Sequence, residues 1–178
     1  MGFLLRAIFM LIVLAVLAIG GAIAYAINTG LTGHGRPGPM ETDVARAIRS
    51  LAVPVAARDR RIPLEATTEA SLWAGLEHYA RYCSLCHGNS GDGQDTPLGN
   101  GLYPKPPDLR AASTQRLSDG ELFYIIDNGV RFTGMPAFGT GESTPAGDKQ
   151  LWELVQFVRH LPQISQDELL AMQRFNPL

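Results

Sequence analysis

The five residues Cys83-Ser84-Leu85-Cys86-His87 place the strongest constraint on what this chain can fold into. They hold both cysteines of a 178-residue sequence. The three-residue spacing puts both thiols on one face of a helical turn, and an imidazole follows at once. Two such sulfurs can bond the two vinyl groups of one porphyrin, while the histidine ligates the iron from the same side. The pattern therefore predicts covalent attachment of one c-type haem.

A zinc site and a redox dithiol are the two other uses of such a cysteine pair. Zinc usually takes four ligands from two clusters, and this sequence has one pair with one adjacent histidine. A thioredoxin-type dithiol follows a strand inside a βαβ pattern. Here the pair ends a predicted helix that begins near Thr68, with apolar residues at Leu72, Leu76 and Tyr79. Both comparisons favour haem.

The N-terminal segment is the second constraint. Residues 7–27 carry no charge, and a helix of this length spans about 31 Å, close to the hydrocarbon thickness of a bilayer. Arg6 precedes the segment and favours a cytoplasmic N-terminus, so the rest of the chain is expected outside. Residues 1–27 are therefore predicted to be a single membrane anchor. A cleaved signal peptide is the alternative, because Ala22-Ile23-Ala24 and Ala24-Tyr25-Ala26 are small-x-small sites.

Residues 28–62, here called the connector, precede the predicted haem domain (residues 63–162). The Gly- and Pro-rich run at 33–39 excludes a regular element there. A short helix is predicted from Glu41 to Ala52, with Val44, Ile48 and Leu51 on one face. Three interpretations stay open: the helix lies on the membrane surface, it packs on the haem domain, or the connector is a partly ordered tether.

Met135 is the predicted second ligand of the iron. It lies 48 residues after His87 in a loop of small and rigid residues, which suits close approach to a porphyrin face. Histidine with methionine favours ferrous iron and raises the potential compared with two histidines. The other candidates are less suitably placed. His78 lies on the predicted helix that carries the cysteines, and His34 lies in the connector. His160 lies on the last long helix, and Met172 lies in the tail.

Three further features are predicted to surround the haem. In the proline-rich loop at 98–109, one proline carbonyl is expected to accept the Nδ1 proton of His87 and fix its tautomer. Arg131 either neutralises a propionate or is simply exposed. Trp152 is expected to pack in the core or at the haem edge.

The remaining helices are predicted from local signals. Ser118 with Glu121 forms a capping box for a helix that ends at Asn128. The last long helix is predicted from about Asp148 to His160. Ser165 caps a short helix in the C-terminal tail, residues 163–178.

Charge excludes one class of function. Residues 68–161 contain 11 acidic and 7 basic side chains, and no basic face is clustered as nucleic-acid binding requires. A mildly acidic surface instead suits a basic partner protein.

Taken together, these motifs resemble the class I cytochrome c family, most closely the bacterial membrane-anchored monohaem cytochromes c. The resemblance covers residues 68–161 and rests on the CSLCH run, the loop from Gly101 to Leu109, residues 128–138, and 151–162. It implies an all-α cytochrome c-like domain behind a single transmembrane helix. It also implies thioethers at Cys83 and Cys86, axial His87 and Met135, the Pro107 carbonyl as the partner of His87, and Leu109 against the haem.

The expected function is one-electron transfer through a single haem c, and not catalysis. The haem domain is expected on the periplasmic side of the cytoplasmic membrane, in a respiratory or related chain. It would receive electrons from a dehydrogenase or a quinol-oxidising complex and pass them to an oxidase or a soluble cytochrome. A fixed subunit of a larger redox complex is the first alternative, and a haem peroxidase or gas sensor is the second.

Overall fold

The computed structural model describes residues 2–30, 32–141 and 144–177. Every regular element in these ranges is helical, so the predicted all-α fold is confirmed. The chain divides into two compact units, one up to residue 32 and one from Gly33 onward.

The first unit is a single helix, α1 (Gly2–Thr29). Its most apolar window has a mean hydropathy of 2.8, and no residue of that window is buried within the structure. A helix that is apolar on all sides is stable when lipid or protein surrounds it. By length and composition α1 can cross a membrane, and it is longer than the predicted segment at 7–27.

The second unit begins within the connector, which forms helices α2 (Pro39–Ala52) and α3 (Val55–Arg58). A 3₁₀ turn (Leu64–Ala66) follows it. Helix α2 starts two residues before the predicted Glu41. Pro39 explains the earlier start, because its fixed φ suits the first helical turn. Backbone N–H groups in that turn have no partner within the helix, so proline loses no hydrogen bond there.

The motif helix has three parts: α4 (Glu69–His78), a π-helical turn (Tyr79–Cys83) and α5 (Ser84–His87). Thr68 caps it by accepting a hydrogen bond from the Ser71 amide at 3.1 Å. Gly88, with φ of 72°, ends it. The sequence predicted one uniform helix, and the π turn changes the angular phase of the cysteines relative to α4.

Four more α-helices follow: α6 (Ala112–Gln115), α7 (Asp119–Asn128), α8 (Pro145–His160) and α9 (Gln166–Met172). Two 3₁₀ turns also lie in this unit, at Gly99–Gly101 and Leu161–Gln163. The predicted capping box at Ser118 is present, and Ser165, which was predicted to cap the tail helix, also forms one with Glu168. The long helix α8 begins one turn before the predicted Asp148, because Thr144 caps it and Pro145 occupies its first turn.

The core of this unit lies where α4 crosses α8, with α7 and α9 against them. Tyr79 and Phe157 are fully buried, with ring centroids 5.1 Å apart. On α7, Phe123 is buried beside Leu122 and Ile126, whereas Ile125 is half-buried. Met172 is also fully buried, so the tail helix contributes to the core.

The connector packs against α7 at Gly120. A Cβ atom at this position would overlap the carbonyl oxygen of Ala57 and lie 2.9 Å from its carbon. The Ser118 hydroxyl donates to the carbonyl of Arg58 at 2.8 Å. The absence of a side chain at Gly120 therefore lets α3 approach α7 closely.

We expect Gly120→Ala to loosen the connector, because the added methyl displaces the Ala57 carbonyl. Trypsin should then cleave after Arg58, Arg60 or Arg61 several-fold faster. Gly101→Ala is the matched control, since its Cβ would meet no atom within 4 Å. Equal cleavage of the two variants would show that the connector does not depend on this contact.

Candidate haem-binding site

The two cysteines lie where the π turn passes into α5. Both are free thiols with partly exposed side chains. Cys83 also packs against the edge of the hydrophobic core. Between them, the buried hydroxyl of Ser84 donates to the carbonyl of Ala80 at 2.6 Å, which anchors the turn to the helix before it. The two thiols are thus held on a rigid element and remain accessible.

His87 ends α5, and the hydrogen bonding of its side chain is incomplete. Its Nδ1 atom is buried and has no hydrogen-bond partner within normal geometry among the described residues. Burial lowers the pKa of His87, and the backbone carbonyl of Pro107 opposes this by raising the pKa. The Pro107 carbonyl therefore lies near this imidazole, as the predicted hydrogen bond to Nδ1 requires. The lowered pKa favours neutral imidazole, the form that ligates iron.

The backbone after the motif is fixed by two side chains that the sequence did not single out for the site. The Tyr79 hydroxyl donates to the carbonyl of Gly88 at 3.0 Å, and the Thr96 hydroxyl donates to the carbonyl of Cys86 at 3.0 Å. Thr96 in turn accepts from the amide of Gly99 at 3.1 Å. Helical spacing indicated only that Tyr79 lies on the apolar face of the helix that carries the cysteines. No sequence pattern near Thr96 indicates that it contacts the site.

The proline-rich loop lies against the turn that follows His87. Gly93 has a φ of 66°, and a Cβ atom there would lie 2.5 Å from the carbonyl oxygen of Pro106 and 3.1 Å from that of Pro107. Glycine is required by both the backbone angle and the space. The Leu109 amide donates to the carbonyl of Gly91 at 2.7 Å, and its side chain packs against the core. The loop therefore brings the Pro107 carbonyl to the His87 side of the site.

The Met135 loop, residues 129–139, is tied to the end of α7. The carbonyl of Met135 accepts from the Val130 amide at 3.1 Å, and its amide donates to the Thr133 hydroxyl at 3.1 Å. Gly129, with a φ of 67°, lets the chain fold back, since a Cβ there would lie 2.6 Å from the Ala137 nitrogen. The side chain of Met135 is half-buried against the core. The loop thus fixes the backbone of Met135.

Arg131 and Trp152 lie in different environments. Arg131 is exposed on the Met135 loop. Trp152 is buried, with its ring centroid 4.4 Å from that of Phe123 and 5.1 Å from the guanidinium of Arg60. Trp152 therefore belongs to the core, and a contact of either residue with a haem stays a prediction.

These residues fit a covalently held haem better than the two alternatives. Burial raises the pKa of Cys83 to about 12 and also raises the pKa of Cys86, so both thiols stay protonated, unlike those of a reactive dithiol. In the part of the chain that the structure describes, no group of three or more His, Cys, Asp and Glu side chains is placed to hold a metal ion alone. A partly buried imidazole and two partly exposed thiols on the same helical turn match porphyrin attachment.

Comparison with known proteins identifies the family of this chain. A chain of the reducing HAO-like protein complex of Kuenenia stuttgartiensis is 27% identical over 53% of this chain, with a TM-score of 0.46. The match spans 45% of that relative's own length. No curated protein matches. The model of the family described as cytochrome c oxidase, cbb3-type, subunit III matches residues 70–158, half of the chain. This chain therefore belongs to that family, a class I monohaem cytochrome c family, whose domain implies haem-based electron transfer.

Proposed function

We propose that this protein transfers single electrons through one haem c that is held by thioethers to Cys83 and Cys86, with His87 and Met135 as axial ligands. The observation that carries the proposal is the position of His87 at the end of the cysteine turn, with a buried Nδ1 that lacks a hydrogen-bond partner among the described residues and with the Pro107 backbone acting on the imidazole. A bound haem supplies the one-electron iron couple.

The protein's own residues then set the properties of that couple. The Pro107 carbonyl orients His87 and increases its basicity as a ligand. Met135 would supply the second iron ligand and leave no open position, and thioether ligation favours ferrous iron and a higher potential. A closed iron suits electron transfer, whereas a peroxidase or a gas sensor needs an open position.

Spectroscopy separates these functions. The oxidised protein is expected to show the far-red charge-transfer band of methionine-ligated ferric haem. The reduced protein is expected to resist CO at neutral pH. Tight CO binding without this band would favour a peroxidase or sensor and would exclude Met135 as the ligand.

We propose that α1 anchors the haem domain at the periplasmic face of the cytoplasmic membrane. The length and hydropathy of α1 support anchoring. The side of the membrane follows from Arg6 before the helix and from the attachment of c-type haem outside the cytoplasm.

Two contacts favour a fixed subunit of a membrane redox complex over a carrier on a long tether. Lys105 donates to the carbonyl of Gly33 at 2.9 Å, and the Tyr103 hydroxyl donates to the carboxylate of Glu41 at 2.6 Å. A flexible connector of 35 residues would reach about 30–35 Å, and packing the connector on the haem domain removes most of this reach. Purification in mild detergent is expected to recover stoichiometric redox partners. Recovery of the protein alone would favour a mobile carrier.

Thiol chemistry tests the attachment. The unfolded holoprotein is expected to show no reactive thiol, because both sulfurs are bonded to haem, whereas unfolded apoprotein should show two. Cys83→Ala should retain haem through one thioether, with no thiol gained. One free thiol per chain in the unfolded wild-type holoprotein would contradict two thioethers.

A further inference from the structure

The apolar face of α2 points away from the haem domain. A helix that packs on a protein core instead turns its apolar face toward that core. Four of its apolar side chains are exposed by 53% to 82%, and these define the outer stripe of α2: Met40, Val44, Ile48 and Leu51. At 3.6 residues per turn these positions fall within roughly 80° of arc on the helix surface. The stripe is continuous over the length of the helix.

The polar face of α2 makes the contacts with the domain. Thr42 and Arg49 are its half-buried residues, and they lie roughly 150° around the helix from the centre of the outer stripe. Glu41 accepts hydrogen bonds from Tyr103, and the carboxylate of Glu121 acts electrostatically on Arg49. The orientation of α2 is therefore fixed by polar contacts, and these leave the apolar stripe outward.

We propose that the outer stripe of α2 lies in the surface of the lipid bilayer and so sets how the haem domain rests on the membrane. This inference rests on the proposed anchoring by α1. Nine residues lie between Thr29, where α1 ends, and Pro39, where α2 starts, and fully extended they span at most about 35 Å. A helix with one apolar and one charged face is typical of interfacial binding.

Charge agrees with a lipid surface as the occupant. The connector contains six arginines and three acidic residues, a net charge of about +3, whereas residues 68–161 carry a net charge of about −4. The connector is thus the part of this unit that an anionic leaflet attracts, and the acidic haem domain is turned toward the aqueous side. Flat docking would hold the haem domain in one orientation, as a fixed subunit requires.

Site-directed spin labelling of the full-length holoprotein in phosphatidylethanolamine–phosphatidylglycerol vesicles tests this. Ile48→Cys places a nitroxide on the outer stripe, and Arg46→Cys places one on the exposed polar side as the matched control. Both positions are exposed, so folding should not change. The ratio of accessibility to oxygen over accessibility to an aqueous nickel chelate should be several-fold higher at residue 48 than at residue 46.

The outcomes are distinct. Failure of the protein to float with vesicles would contradict the proposed anchoring by α1 and the inference with it. Among protein that floats, equal access of nickel to both labels would overturn only the inference. A label at residue 48 that is shielded from both oxygen and nickel would also overturn it, because a protein surface would then cover the stripe.

Discussion

Met135→Ala is expected to lower the reduction potential by on the order of 0.1 V, within the roughly 0.8 V range that axial ligands set. Alanine has no ligand atom, so the iron loses the thioether that favours its ferrous form. The far-red band of the ferric protein should disappear, and the reduced protein should bind CO. Redox titration and absorption spectra measure all three effects.

Met172→Ala provides the matched control. Met172 is fully buried in the core, so its loss should reduce stability by about 2–5 kcal/mol while the potential and the band stay unchanged. If Met135→Ala leaves both spectrum and potential unchanged, Met135 is not a ligand and the assignment of its loop is wrong.

Gly75→Ala is expected to lower the free energy of unfolding by about 3 kcal/mol, at the upper end of the cost of overpacking. Gly75 is buried where α4 crosses α8. A Cβ atom there would overlap the carbonyl oxygen of Glu153 and lie 3.0 Å from Cβ of Phe157. In an isolated helix, the same substitution would stabilise by about 1 kcal/mol, so the crossing reverses the sign.

Denaturant unfolding of the holoprotein measures this effect. Ala70→Leu is the control, because Ala70 lies exposed on the same helix and the change should stay within about 0.5 kcal/mol. A Gly75→Ala variant as stable as the wild type, or more stable, would contradict the close crossing of α4 and α8.

Short-range signals made several parts of this molecule predictable. The capping boxes at Ser118 and Ser165 are formed by residues three apart, and the structure contains both. The CSLCH run and the apolar α1 are likewise local patterns. Each depends on helix geometry alone, so the sequence is sufficient to predict it.

Contacts between distant residues were not predictable in the same way. The Tyr103–Glu41 hydrogen bond joins residues 62 apart, and the contact of Gly120 with Ala57 depends on two backbones meeting. For this reason, the sequence left three interpretations of the connector open. Thr96 was missed because its hydroxyl acts on the Cys86 carbonyl ten residues away. The π turn was missed because no residue type marks it.

Mass spectrometry of the tryptic peptide that begins at Tyr82 tests the central claim most directly. Cleavage after Arg81 yields a peptide that holds Cys83, Cys86 and His87. In native protein this peptide is expected to carry the mass of one haem, with fragmentation placing it on both cysteines. A peptide of unmodified mass that reacts with two equivalents of a thiol reagent would contradict covalent haem attachment and, with it, the proposed function.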